Sequence, residues 1–220
     1  TNLNVNFPLG QSNAKTESKW QTAAQLLVEG LRFGLLIALG ALGLSLIYGT
    51  TGLTNFAHGE LVSFGALMTW TFNVVLHLPL IIAGIIGVIL TAIFGAVQNA
   101  GLWQPLRKRG SGLIAMMIVS IGLALFLRNI FLFFFGGDKR AYSEFVGQAG
   151  MQLGPVTLTP SDIATAIIAV IALGITVVAI QKTRLGKATR AVADNPALAS
   201  SAGIDVERVI MVVWVVGAAL

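Results

Sequence analysis

The chain contains 220 residues, of which 55% are apolar and only 10% are charged, with a formal net charge of +5. Soluble domains carry about 25% charged residues, so the composition excludes an ordinary soluble domain and indicates a membrane protein. The lack of cysteine excludes disulfides, thiol catalysis and cysteine-ligated metal, and two histidines are too few for a histidine metal cage. We therefore predict neither a metal site nor a cofactor.

A polar stretch opens the chain, and we predict an N-terminal extension over residues 1–25 and a transmembrane domain over residues 26–220. The later apolar runs are continuous rather than alternating, and they approach the about 20 residues that a helix needs to cross a bilayer. We predict an all-α, polytopic helix bundle of about six spans. The spans are Leu26–Tyr48, Leu61–Leu76, Leu80–Gln98, Leu113–Phe135, Ile163–Ile180 and a sixth that opens at Val209. Because Leu220 falls inside an apolar run, we expect further spans after it.

Small residues four positions apart allow helix backbones to approach closely. The predicted spans contain three such pairs: Gly30 with Gly34, Ala41 with Ser45, and Ala83 with Gly87. We interpret these pairs as signs of a packed bundle.

The basic residues predict the topology, because Lys and Arg mark the cytoplasmic side of short loops. The cluster Arg107 to Arg109 and the basic segment 181–208 are separated by an even number of spans, so we expect both in the cytoplasm and the loop 136–161 outside. If residues 49–60 form a cytoplasmic turn, the N-terminus lies outside; a re-entrant segment would reverse that. Topology explains the excess of positive charge better than nucleic-acid binding does.

A polar, glycine-bearing segment, Thr50 to Glu60, separates the first two predicted spans. Irregular backbone at membrane depth is tolerated where protein or a water-filled cavity satisfies its amides, and in transporters such breaks often lie beside the substrate path. The residues alone leave two interpretations evenly open, a wall of a path or an ordinary turn. His58 and Glu60 are two positions apart and so point to different faces of a helix, which favours structural roles over a metal or acid–base site. We predict no catalytic residue.

Arg128 lies inside the fourth predicted span. A charge at depth ordinarily faces the bundle or a cavity, whereas an arginine near the end of a span extends to the interface. We favour the second interpretation, because Phe131 and the run Phe133 to Phe135 then form an interfacial aromatic belt.

The basic segment 181–208 is too long to be a minimal helix connection. It holds an amphipathic run, then Asn195-Pro196 as a helix start, then small residues and Gly203 as a helix stop. This pattern predicts a short helix on the cytoplasmic face. The small residues favour docking in a groove of a soluble partner over attachment to anionic lipid, which more Lys and Arg would serve.

The run Asn-Phe-Ala-His-Gly-Glu at 55–60, and the run Arg-Leu-Gly-Lys at 184–187 continued by Gly-Ile-Asp at 203–205, carry a resemblance to a known family. The chain resembles, from Leu26 to Leu220, the inner-membrane permeases of bacterial ABC importers for branched-chain amino acids. That group also includes urea and short-amide permeases.

The resemblance implies a multi-pass protein of the bacterial inner membrane that pairs with a second permease subunit, as a homodimer or a heterodimer. It implies two cytoplasmic ATP-binding subunits docked on the segment 181–208 and an extracytoplasmic solute-binding protein. ATP hydrolysis would belong to the partner, since this chain has no Gly-x4-Gly-Lys-Ser/Thr phosphate loop; the chain itself is then not an enzyme.

The resemblance also implies site residues. The translocation path would be lined or supported by Asn55, Phe56, His58 and Glu60. The segment that couples to the ATPase would depend on Gly186, Lys187, Arg190, Asn195, Ala199 and Gly203.

Other functions compete with this interpretation. A sugar permease of the same ABC class would share the fold. A secondary transporter or channel without an ATPase partner would require buried acids for ion coupling, and a membrane-embedded enzyme would require convergent His and acid residues. The solute stays open among branched-chain amino acids, urea and amides.

Overall fold

The computed structural model describes residues 18–220. The extension predicted for residues 1–25 therefore lies mostly outside the described residues. Its last part belongs to the first helix, which begins at Lys19 behind a capping box formed by Ser18 and Gln21. The side chains of these two residues exchange hydrogen bonds with each other's backbone amides, which satisfies two donors at the helix start.

Helices form most of the described chain. They are α1 (Lys19–Thr51), α2 (His58–Trp70) with a π-helical turn (Thr71–Val75), α3 (Leu80–Gln98) with a π-helical segment (Asn99–Trp103), α4 (Gln104–Lys108), α5 (Leu113–Phe135), α6 (Pro160–Lys182), α7 (Arg184–Asp194), α8 (Pro196–Ser201) and α9 (Val206–Ala219). Four stretches are long and apolar enough to cross a membrane: Lys19–Thr51, Leu80–Lys108, Leu113–Phe135 and Pro160–Lys182. The shorter α2 and α9 stand where the second and sixth spans were predicted. The polytopic helical fold is confirmed, and the count of six spans is approximate.

A small hairpin in the loop between α5 and α6 departs from the all-α prediction. Strands β1 (Met151–Leu153) and β2 (Val156–Leu158) pair antiparallel, with Gln152 opposite Thr157. Gly154 provides the turn with a φ of +63°, a conformation that residues with a Cβ rarely adopt.

The core lies where α9 crosses α1 and α3. The indole rings of Trp103 and Trp214 are fully buried and stack with their centroids 5.8 Å apart. At the crossing of α1 and α9 the backbones touch: a Cβ added to Gly43 would lie 2.4 Å from the carbonyl oxygen of Gly217. Only glycine permits this approach, so the two helices are held together with no side chain between them.

The small-residue pairs predicted from spacing give a mixed result. Gly87 does mark a close contact, because an added Cβ would lie 2.1 Å from the hydroxyl of Thr69 on α2. The pair Gly30 and Gly34 was wrong as a sign of packing, since nothing lies within 4 Å of an added Cβ at either position. Ala41 and Ser45 are likewise exposed. The four-residue spacing of small residues alone does not distinguish a packed helix face from an open one.

Contacts at one end of the bundle join the start of α1 to the loop 136–161. The side chain of Gln25 makes two hydrogen bonds with the backbone of Thr157, at 2.9 and 3.1 Å, and Arg32 forms an ion pair with Asp162. The start of α1 and the loop 136–161 therefore lie on the same side of the membrane. Since most of the basic residues gather at the opposite end, the positive-inside rule places the start of α1 outside.

Candidate functional site

The turn between α1 and α2 is an irregular segment buried within the bundle. Gly52 ends α1 in the left-handed conformation, with φ +69°. Leu53, Asn55 and Ala57 are buried, whereas Phe56 between them is 51% exposed. The chain therefore turns from α1 into α2 with Leu53, Asn55 and Ala57 packed in the core and Phe56 facing outward.

Hydrogen bonds satisfy the backbone of this segment. The amide of Phe56 donates to the hydroxyl oxygen of Ser120 on α5 at 3.2 Å, and the amide of Ala57 donates to the side-chain oxygen of Asn55 at 3.1 Å. The amide of His58 donates to the carbonyl of Asn55 at 3.1 Å. Irregular backbone inside the bundle is thus stabilised by protein groups, as a membrane protein requires.

The four residues predicted for the path do not share one surface. Asn55 and His58 are 1% and 6% exposed, and the ring of His58 lies against the crossing of α1 and α9, 3.2 Å from where a Cβ of Gly43 would stand. Phe56 is instead exposed, and Glu60 is half-buried at the surface. The structure therefore divides the set into two core residues and two surface residues, and their role in transport stays a prediction.

A groove of about 550 Å³ runs between α2 and α5, and Glu60 lies in its wall. It is lined by Gly59, Glu60, Ser63, Ala66, Leu67, Arg128, Phe131, Leu132, Phe135 and Gly136. Arg128 is thus brought to the same groove as Glu60, which sequence reasoning did not anticipate. Of the predicted aromatic belt, Phe133 and Phe134 project outward, 82% and 72% exposed, while Phe131 and Phe135 line the groove.

The loop after α5 covers the outer end of the groove. The ring of Trp70 meets Phe135 edge-on, with centroids 6.5 Å apart, and the guanidinium of Arg140 lies 4.2 Å over the Trp70 ring. The hydroxyl of Tyr142 donates to the carbonyl of Ala66 at 3.4 Å. Aromatic and cation–π contacts of this kind join the loop to both helices.

A second set of contacts fastens this loop to the turn between α2 and α3. The carboxylate of Glu144 accepts hydrogen bonds from the side-chain amide of Asn73 and from the backbone N–H of Leu80, each at 2.7 Å. The hydrogen bond from Asn73, followed by that from Leu80, lowers the pKa of Glu144 below its ordinary value. The carboxylate also lies at the N-terminus of α3, where negative charge is favoured.

The segment predicted to couple to an ATPase folds as two short helices, α7 and α8. The hydroxyl of Thr183 caps α7 by accepting from the amide of Gly186 at 3.0 Å, and Asn195 caps α8 by accepting from the amide of Leu198 at 3.0 Å. Gly203 ends the segment with φ +84°. The helix start and stop signals of the sequence thus correspond to the observed caps.

The six predicted coupling residues occupy different places on these helices. Gly186 packs against the end of α6, where an added Cβ would lie 2.0 Å from the carbonyl oxygen of Ile180. Ala199 is buried with Val192 and Val209, which fixes α7 and α8 on the start of α9. The other side chains face away from the bundle: Lys187, Arg190 and Asn195 are exposed.

One polar contact near this segment was missed by sequence reasoning. Arg107 donates to the carboxylate of Glu207 at 2.9 Å and to the side-chain oxygen of Asn99 at 3.0 Å. The pair joins the end of α4 to the first turn of α9. The partners lie 100 residues apart, and no local pattern connects them.

Comparisons with known proteins agree with these features. The family described as "Branched-chain amino acid transport system / permease component" matches residues 26–220. The chain is 29% identical over 208 residues to the high-affinity branched-chain amino acid transport system permease protein LivH of Salmonella typhimurium, covering 89% of this chain and 67% of the relative. It is 30% identical over 210 residues to the corresponding protein BraD of Pseudomonas aeruginosa, with coverage of 89% and 67%.

A third relative matches over a similar length. The chain is 29% identical over 209 residues to the probable branched-chain amino acid transport permease protein LivH of Methanocaldococcus jannaschii, covering 89% of this chain and 63% of the relative. No solved structure matches the chain.

Proposed function

The chain belongs to the family of permease components of branched-chain amino acid transport systems, and from this membership we propose that it is the membrane-spanning subunit of an ATP-driven importer for branched-chain amino acids. The family match over residues 26–220 carries the proposal, because it spans both the groove and the segment α7–α8. Its relatives are transport components rather than enzymes. The apolar helices make it a multi-pass protein of the inner membrane.

A permease component works with other components of its transport system. We propose that two cytoplasmic ATP-binding subunits dock on α7 and α8, that a solute-binding protein delivers substrate from outside, and that a second permease subunit, identical or similar, completes the path. The exposed side chain of Leu198 on α8 supports the docking proposal: it is 66% exposed on a short helix at the basic end of the molecule. A helix can dock into a groove of its partner through an exposed apolar side chain of this kind.

The proposed mechanism is alternating access driven from the cytoplasm. Closure of the ATP-binding subunits pushes α7 and α8, and the spans rock around the path between two discrete arrangements. Phe56 and Glu60 face the path, and Asn55 and His58 support it from the core. The alternative of an ion-coupled carrier is less well supported, since no aspartate or glutamate is buried within residues 18–220.

Co-purification tests the proposal. The full-length protein is purified from detergent-solubilised membranes of its own host, with and without ATP, and probed for a bound soluble ATPase. The variant Leu198→Arg is compared with Leu153→Arg, which makes the same change at a 55% exposed leucine on the hairpin at the other end. Burying an unpaired charge costs several kcal/mol, so Leu198→Arg should lower ATPase recovery at least about tenfold.

The control variant Leu153→Arg should recover the ATPase as wild type does. If wild type binds no ATPase with or without nucleotide, the importer proposal fails and a stand-alone transporter or channel takes its place. Equal recovery with both variants would instead move the docking surface away from α8.

A further inference from the structure

The groove between α2 and α5 holds two opposite charges that the proposed function does not by itself explain. Glu60 lies in the first turn of α2, and Arg128 lies in the interior of α5. Both line the same groove of about 550 Å³, among otherwise mostly apolar side chains. Ionisable groups within membrane spans are costly and ordinarily serve a substrate or ion pathway.

Neither Glu60 nor Arg128 forms an ion pair with another described side chain of this protein. The ion pairs among residues 18–220 are Arg32 with Asp162 and Arg107 with Glu207, and neither includes Glu60 or Arg128. The Glu60 carboxylate and the Arg128 guanidinium are therefore available to a ligand. A carboxylate binds an ammonium group, and a guanidinium binds a carboxylate through two parallel hydrogen bonds.

We propose that this groove binds an α-amino acid as its zwitterion, with Glu60 accepting hydrogen bonds from the ammonium group and Arg128 donating to the carboxylate. The inference rests on the proposed function and deepens it. An aliphatic side chain of the ligand would contact Leu67, Phe131 and Leu132. The volume lies in the range of about 300–1,000 Å³ that is usual for small-molecule sites.

The charge pair also favours one of the solutes that the sequence left open. Urea and short amides carry no net charge, so they offer neither an ammonium group to Glu60 nor a carboxylate to Arg128. An amino acid offers the complementary charge to each. The groove therefore fits amino acids rather than the neutral solutes of related permeases.

Ligand analogues test the assignment of each charge separately. The complete importer, with its ATP-binding subunits, is reconstituted in nanodiscs without the solute-binding protein, and binding of radiolabelled leucine is measured by equilibrium dialysis up to millimolar concentration. Isoamylamine, which lacks the carboxylate, and isocaproate, which lacks the ammonium group, compete for the site. The variants are Glu60→Gln and Arg128→Gln, with Asp138→Asn and Lys139→Gln as charge-matched controls in the exposed outer loop.

Each variant should lose one interaction only. Arg128→Gln should weaken leucine binding about tenfold or more, and leave the competition by isoamylamine unchanged. Glu60→Gln should weaken leucine binding by a similar factor, and leave the competition by isocaproate unchanged. A hydrogen bond to a charged group contributes about 1.5–3 kcal/mol, which corresponds to these factors.

The controls separate failure of this inference from failure of the proposed function. If the wild-type complex hydrolyses ATP and imports leucine with its binding protein, yet shows no saturable leucine binding by equilibrium dialysis, the inference is overturned while the importer proposal stands. Leucine affinities of both variants equal to those of the controls would overturn it too. If wild type neither binds an ATPase nor imports leucine, the proposed function has failed.

Discussion

The contact between Gly43 and Gly217 allows a test within a single helix. Gly43→Ala places a Cβ 2.4 Å from the carbonyl oxygen of Gly217 and 3.2 Å from its carbonyl carbon, whereas Gly34→Ala in the same helix places a Cβ in open space. Both variants replace glycine by alanine inside α1, so the gain in helix propensity of up to about 1 kcal/mol is common to both. The difference between them isolates the cost of packing.

The magnitude follows from the geometry. An ordinary van der Waals contact to a Cβ begins near 3.4 Å, so α1 and α9 must separate by about 1 Å to accept the methyl group. Because the atoms in the way are backbone atoms, no rotamer change relieves the clash. Overpacking of this kind costs about 1–3 kcal/mol, so we expect Gly43→Ala to be less stable than Gly34→Ala by that amount.

The assay is reversible unfolding of the full-length protein in mixed lipid and dodecyl sulfate micelles, followed by tryptophan fluorescence, because Trp214 lies beside Gly217 on α9. The free energy of unfolding is compared across wild type, Gly43→Ala and Gly34→Ala. Equal stabilities of the two variants, within about 0.5 kcal/mol, would refute the close crossing and with it the central position of α9.

Three further predictions follow from polar contacts and from the turn into α7. A double-mutant cycle on Arg107 and Glu207 should give a coupling free energy of about 1 kcal/mol, since the pair is only partly buried. A value of zero would show that this ion pair does not stabilise the contact of α4 with α9. Because the pKa of Glu144 is lowered in the folded protein, the hydrogen bonds of its carboxylate should hold the loop 136–161 in place at neutral pH. The loop should loosen as the pH falls through the folded-state pKa of Glu144, which lies below the ordinary value of about 4. Hydrogen exchange of that loop should show this pH dependence in wild type and lose it in Glu144→Gln. Gly186→Ala should destabilise the turn from α6 to α7 by about 1–3 kcal/mol and reduce ATPase recovery, whereas Gly174→Ala, which meets nothing within 4 Å, should do neither.

Local signals were predicted well because their chemistry is local. Asn195 followed by proline predicts the start of a helix, and Asn195 is indeed the cap of α8. Gly203 predicts its end, and the residue has the positive φ that favours glycine. Long apolar runs predict spans, and the long helices cover them. In each case the deciding interaction joins residues only a few positions apart.

Contacts between helices were not predictable in the same way. A membrane helix is apolar on all sides, so its sequence has little contrast between a packed face and a lipid face. Gly30 and Gly34 have the spacing of a helix contact, yet Gly43 makes one. The ion pair of Arg107 with Glu207 depends on how α4 and α9 meet, which no local pattern encodes.

The groove between α2 and α5 could not be predicted from local sequence patterns either. Sequence reasoning selected Glu60 from its motif but placed Arg128 at the interface as a residue that extends outward. Only the packing of α2 beside α5 brings the two onto one surface. A charge inside a span was the available signal, but Arg128 follows Glu60 by 68 positions in the chain, so no local pattern connects the two.

The packing also suggests how a push on the coupling segment reaches the groove. Ala199 of α8 is buried against Val209 at the start of α9, and farther along α9 the backbone of Gly217 touches Gly43 on α1. His58, the first residue of α2, lies against the same crossing, two residues before Glu60. A contact between backbones has no rotamer to absorb a displacement, so movement of α9 must be passed to the turn between α1 and α2. We therefore expect Gly43→Ala to lower leucine import per ATP hydrolysed in the reconstituted importer, while Gly34→Ala leaves that ratio unchanged; equal ratios would place the coupling route elsewhere in the bundle.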